Sequence, residues 1–97
     1  MNDIEGYLYK YSPSIFKGWQ KRYIILKDKK LMYKKTQEQP YPNGVINFDH
    51  FRVHLFANSK DPLQFQVKIE GLDREFQFKA ENEQTSASWQ KSLVAQI

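Results

Sequence analysis

Apolar and polar residues alternate along most of this 97-residue chain, the period-two signature of strands that bury one face. In Gly6–Leu26 (GYLYKYSPSIFKGWQKRYIIL) two arms flank a loop. Leu8 and Lys10 share one face of the first arm, and Gln20, Arg22, Ile24 and Leu26 share one face of the second. Both faces run from polar or basic at the loop end to apolar at the far end, which describes a small sheet closing on a core with a cationic mouth. Asp28-Lys29 makes a tight turn into a third strand, Lys30 to Lys35, with Leu31 and Tyr33 on one side. Thr36 to Asn43 (TQEQPYPN) holds two prolines and no periodicity, so it is a loop. Gly44 opens a strand that turns Ile46 and Phe48 inward, and Arg52 to Phe56 alternates again. Asn58 to Pro62 is a turn cluster, Gln64 to Ile69 places Phe65, Val67 and Ile69 on one face, and Gly71-Leu72-Asp73 turns into Glu75–Ala80 with Phe76, Phe78 and Ala80 inward. Seven short strands with no helix between them favour a sandwich or barrel.

The period changes at Asn82. This residue suits a helix N-cap, Glu83 suits the first turn, and Trp89, Leu93 and Ile97 recur at helical spacing with Val94 beside them. An amphipathic helix of about four turns follows. Its apolar stripe is expected to cover the open end of the strand assembly.

Length and composition fit one domain over residues 1–97, expected to be a module cut from a longer protein. The absence of cysteine excludes disulfides and thiolate chemistry. No apolar run reaches the roughly 20 residues of a membrane span. The net charge of +4 is unevenly spread: nine basic residues face three acidic ones over 1–35, and six face eight over the remainder. That polarity points to an anionic partner. No Ser/His/Asp grouping, glycine-rich phosphate loop or separated carboxylate pair stands out, so no catalytic residues and no cofactor are expected. His50 and His54 lack cysteine or paired acids nearby, and no metal site is expected.

Gly6-x-Leu8-x-Lys10, Trp19-x-x-Arg22-Tyr23-x-x-Leu26, Leu31-x-Tyr33, Gly44-x-Ile46 and the helical Trp89 occur in this order across the chain. In that arrangement the chain resembles the pleckstrin homology (PH) domain. The resemblance implies a seven-stranded bent β-barrel of two near-orthogonal antiparallel sheets, capped by one C-terminal α-helix. It also implies a phosphoinositide headgroup site at the loop between the first two strands, in which Lys10 and Arg22 match the family's basic positions and Tyr33 its third-strand tyrosine. Gln20 and Asn43 stand where many lipid-binding members carry basic residues. Lys17-Gly18-Trp19-Gln20-Lys21-Arg22-Tyr23 is similar to the Gly-Trp-Gln-x-Arg-Trp subgroup of oxysterol-binding and ceramide-transfer type proteins, which implies phosphatidylinositol 4-phosphate as the lipid. Tyr23 departs from that subgroup's tryptophan, and Tyr11–Phe16 departs from its Trp-Thr-Asn-Tyr run.

The expected headgroup contacts are Lys10, Gln20, Arg22, Tyr33 and Lys35. Charge-assisted hydrogen bonds are worth roughly 1.5–3 kcal/mol each, and arginine can grip two phosphate oxygens. Ile15 and Phe16 sit at a loop tip with no evident core, and membrane insertion would supply burial worth about 1.5–3 kcal/mol apiece. Lys10, Lys17 and Lys21 are each expected to add roughly 1 kcal/mol against an anionic leaflet, and Lys21 and Lys34, pointing the other way, to serve nonspecific attraction to anionic lipid or the second site some PH domains use outside the barrel. The same residues have plainer readings: Lys10 and Arg22 as solvated strand-end charges, Tyr33 as rim packing, Phe16 folded back on Trp19 or Tyr11. The leading expectation is a monomeric membrane-targeting module with micromolar affinity, about −8 kcal/mol. It would be cytoplasmic and peripheral to the membrane, with Golgi and plasma membrane both open. The alternative is a protein-interaction domain on the same scaffold with weak or no specific lipid binding. Nucleic acid is not the expected partner, because a basic aromatic barrel would leave Ile15 and Phe16 unexplained.

Overall fold

The computed structural model describes residues 2–12, 18–72 and 74–97. Its elements are β1 (Ile4–Ser12), β2 (Gly18–Lys27), β3 (Lys30–Lys34), β4 (Gly44–Asn47), β5 (Val53–Ala57), β6 (Gln64–Ile69), β7 (Arg74–Lys79) and α1 (Glu83–Gln96). The third strand stops one residue short of Lys35, and the seventh begins one residue before Glu75.

Hydrogen bonding links all seven strands in a single antiparallel sheet, in the order β4-β3-β2-β1-β7-β6-β5. The two sheets implied by the resemblance are thus halves of one, joined by the β1–β7 ladder. That ladder consists of Tyr9↔Lys79 and Lys10↔Phe78 alone, whereas β1 and β2 pair from Ile4↔Leu26 to Ser12↔Gly18. Both halves share a core: Leu8, Ile24, Leu26, Leu31 and Ile46 pack in one cluster with Phe65, Val67, Ile69, Phe76 and Phe78. A sheet that buries one face against itself must bend around that face, and the period-two pattern supplies the residues for it.

The β2–β3 turn puts Asp28 and Lys29 at φ 51° and 61°. Positive φ at both central residues is what a tight two-residue hairpin turn needs, and neither residue is glycine. The strain is offset by α1. Gln96 is buried, its Oε1 accepts the Lys29 N–H at 2.8 Å, and its Nε2 donates to the Asn2 carbonyl at 2.6 Å. At the other end of the helix, Asn82 accepts the Thr85 N–H at 2.8 Å as an N-cap.

The buried helical stripe differs from the expected one. Trp89 and Leu93 enter the core, but Val94 is 66% and Ile97 48% exposed, while Ser86 and Gln96 are buried. Positions 86, 89, 93 and 96 form the inward face. Ser86 presents a small surface to the sheet, and Gln96 is drawn in by two backbone groups that need partners. Gln96→Ala is therefore expected to cost about 1–2 kcal/mol, because it orphans one donor and one acceptor at a partly buried site. Val94→Ala should stay within about 0.5 kcal/mol. Urea unfolding followed by Trp89 fluorescence measures both, and equal losses would contradict the tie.

Candidate functional site

The inner face of the sheet passes from core to rim at one end. Leu8 lies opposite Arg22, and Lys10 opposite Gln20, so these four side chains share a face and the last three stand at its outer edge. Tyr33 reaches the same place from β3. Lys10 Nζ sits 5.7 Å from the Tyr33 ring centroid and 5.5 Å from that of Phe76. Each such cation–π contact is worth about 0.5–1 kcal/mol where water still reaches.

A further cation joins them. The Arg74 guanidinium lies 4.9 Å from the Phe76 centroid and 5.8 Å from that of Tyr33, and its Nη2 donates to the Tyr33 hydroxyl at 3.0 Å. Sequence reasoning passes over this residue, because the turn at Gly71–Asp73 and the strand from Glu75 leave position 74 unassigned. The signal was present: Arg74 has the parity of Phe76, Phe78 and Ala80, so a strand one residue longer turns it inward at the mouth.

The crowding has an electrostatic signature. Burial in the rim, reinforced by Arg74 and then by Arg22, holds the Lys10 ammonium below the ordinary lysine value. Among the described residues, the ion pairs are Lys29–Asp49 and His54–Glu70. None of the three mouth cations belongs to them. Arg22 is nonetheless engaged: Nη1 donates to the Lys21 carbonyl at 2.8 Å and Nη2 to Gln20 Oε1 at 2.9 Å.

Gln20 is on the rim, with its carboxamide oxygen committed to Arg22. Lys35 lies beyond the end of β3 and is exposed, and its N–H donates to Gln39 Oε1 at 3.0 Å. Asn43 Oδ1 accepts from Gln39 Nε2 at 2.6 Å, which ties its side chain into the β3–β4 loop. Lys21 and Lys34 are on the outer face: Lys21 pairs with Tyr9 and its Nζ is 5.1 Å from the Tyr7 ring, while Lys34 lies opposite Tyr23. The Tyr23 hydroxyl donates to Glu5, and this bond, with burial, pushes its pKa up to about 12. Ile15, Phe16 and Lys17 lie outside the described residues. Tyr11 and Trp19 flank that stretch and pack edge to face at 5.5 Å.

Tyr33 is held in the mouth by what stands behind it. Gly44 is its cross-strand partner, and a Cβ there would collide with the tyrosine hydroxyl and ring. Glycine is thus required at position 44 by close approach of a side chain.

The model of the PH domain family matches residues 2–97. The chain belongs to the PH domain family. Among curated relatives, the human Arf-GAP with Rho-GAP domain, ANK repeat and PH domain-containing protein 3 is 33% identical over 90 residues, covering 93% of this chain and 6% of that protein. The chain spans between 4% and 8% of the length of the first curated relatives it matches. The carboxyl-terminal PH domain of pleckstrin, solved in complex with D-myo-Ins(1,2,3,4,5)P5, superposes with a TM-score of 0.76 at 20% identity, covering 95% of this chain and 94% of that one. The PH domain of human oxysterol binding protein-related protein 11 gives a TM-score of 0.76 at 19% identity, covering 97% and 79%. At such identities the likeness concerns the fold, and it does not single out a subgroup. PH domains are non-catalytic binding modules, and the relatives named as kinase or GTPase-activating proteins are far longer than the region matched.

Two outcomes follow for the free domain. Gly44→Ala should lower stability by about 1–3 kcal/mol by overpacking against Tyr33, and a Tyr33→Ala background should remove most of that loss in a double-mutant cycle. Lys10→Met should raise stability at neutral pH by less than about 1 kcal/mol, because solvent screens a half-exposed charge. Lowered in the folded state, the Lys10 pKa makes its charge unfavourable to folding below that value, and the deficit vanishes as pH climbs toward the ordinary lysine value. Denaturant melts at rising pH should show the advantage of Lys10→Met shrinking.

Proposed function

We propose that this PH domain is a membrane-targeting module that takes a phosphoinositide headgroup into the mouth lined by Lys10, Gln20, Arg22, Tyr33 and Arg74. The observation that carries this reading is the convergence of three cations and a tyrosine hydroxyl on one rim, where their mutual repulsion is relieved by an anion. The related fold of pleckstrin, crystallised with an inositol pentakisphosphate, supports the ligand class. With Gln20 and Asn43 neutral and both side chains already hydrogen-bonded, the rim has charge for few phosphates. A monophosphorylated lipid such as phosphatidylinositol 4-phosphate is the proposed preference. Ile15 and Phe16 are proposed, on the sequence argument, as the inserting pair. Lys17, Lys21, Lys34 and Lys35 would add attraction to an anionic leaflet. In this reading the domain acts on the cytoplasmic side as part of a longer, peripherally bound protein. No described helix is long and apolar enough to cross a membrane.

One observation favours the alternative of a protein-interaction domain with weak lipid binding. The Gln20 carboxamide and the Lys21 carbonyl already occupy two N–H groups of Arg22, which the family resemblance makes a principal phosphate ligand.

Vesicle sedimentation across the phosphoinositides separates the two. Binding to vesicles carrying a monophosphorylated phosphoinositide should fall at least tenfold in Lys10→Ala, the loss of one charge-assisted contact, and several-fold in Phe16→Ala. Equal and weak sedimentation of wild type and both variants would favour the protein-interaction reading.

A further inference from the structure

We infer that the anion seats between Lys10 and Arg74, across the junction of β1 and β7, with Arg74 rather than Arg22 as its principal guanidinium. This rests on the headgroup reading above and assigns its geometry.

A guanidinium has five N–H donors. Arg22 directs Nη1 and Nη2 to acceptors on its own strand, the Lys21 carbonyl and Gln20 Oε1. Two of its five N–H groups are thereby taken, one on each Nη, and Gln20 and the Lys21 carbonyl compete with a phosphate for that edge. The described hydrogen bond of Arg74 is the one from Nη2 to the Tyr33 hydroxyl. That bond is also productive. Because the tyrosine oxygen accepts from Arg74, its own proton is left to donate elsewhere, and an oxyanion beside Arg74 can take the guanidinium and phenol protons together.

The floor of the seat is shared. Lys10 and Arg74 lie over the same two rings, Tyr33 and Phe76. Two cations share one pair of aromatic rings where the β1–β7 ladder ends at Lys10, and the inferred seat is the space beyond that end. Arg74, four residues before Phe78, reaches that space from the β7 side. The weakened proton affinity of Lys10 comes first from burial in this rim and then from the neighbouring Arg74 and Arg22.

An anion held this way bridges the two halves of the sheet where they are joined by two residue pairs. Ligand binding should therefore slow hydrogen exchange of the β1 and β7 amides at the junction.

NMR titration with inositol 1,4-bisphosphate, the soluble headgroup of phosphatidylinositol 4-phosphate, tests the assignment in wild type, Arg74→Ala, Arg74→Lys and Arg22→Ala. Arg74→Ala should lose roughly ten- to hundredfold in affinity, and Arg74→Lys, which keeps the charge but not the fork, should fall between. Arg22→Ala should lose less than about fivefold. The melting temperature of free Arg74→Ala should change little, since loss of its contacts with Tyr33 and Phe76 is offset by removal of a like charge beside Lys10; a merely structural arginine would lower it. A larger loss in Arg22→Ala than in Arg74→Ala would move the anion to the β2 side and overturn the inference while sparing the headgroup reading. No binding by wild type would overturn both.

Discussion

A sheet that closes on itself has one inner face, and every side chain on that face must be either core or rim. Along β1 and β2 the inner positions are Leu8, Ile24 and Leu26 at depth, and Lys10, Gln20 and Arg22 where the face opens to water. Burial of the apolar members holds the bend. The same bend brings Arg74 of β7 beside them, so three cations, Lys10, Arg22 and Arg74, gather although they are separated along the chain. Burial at this rim, with Arg74 and then Arg22 adding to it, lowers the proton affinity of Lys10, so its charge raises the free energy of the unliganded domain. Sites that bind are commonly sites that would be more stable if they did not.

Aromatic faces make that gathering tolerable. Phe76 belongs to the core and also carries Lys10 and Arg74 on its faces or edges. Tyr33 does the same from the opposite half of the sheet, and its position depends on the missing side chain of Gly44. Core packing and the placing of the rim cations thus depend on the same two rings.

Most of the strand order was legible because period-two alternation survives in each strand, and Asp28-Lys29 was readable as a turn from its place between two alternating runs. The inner-face placement of Lys10 and Arg22 was legible for the same reason: parity alone puts both on that face. Arg74 was not, since an arginine after a glycine turn looks like loop until the register Ile69↔Arg74 draws it into the ladder. The helix misled in a different way. Val94 and Ile97 advertise an apolar stripe, but the helix face is chosen by long-range hydrogen bonds of Gln96 to Asn2 and Lys29, which periodicity cannot reveal. The engagement of Arg22 by Gln20 is likewise a matter of rotamers, beyond what spacing can tell.

The Gln96 side chain has a consequence for how such a unit is built into other proteins. By bonding the Asn2 carbonyl it holds the two ends of the fold side by side, at the β2–β3 turn and away from the mouth. Polypeptide before Asn2 and after Gln96 would depart from that one spot, so insertion into a host loop would make little demand on the host's geometry and leave the cationic rim facing outward.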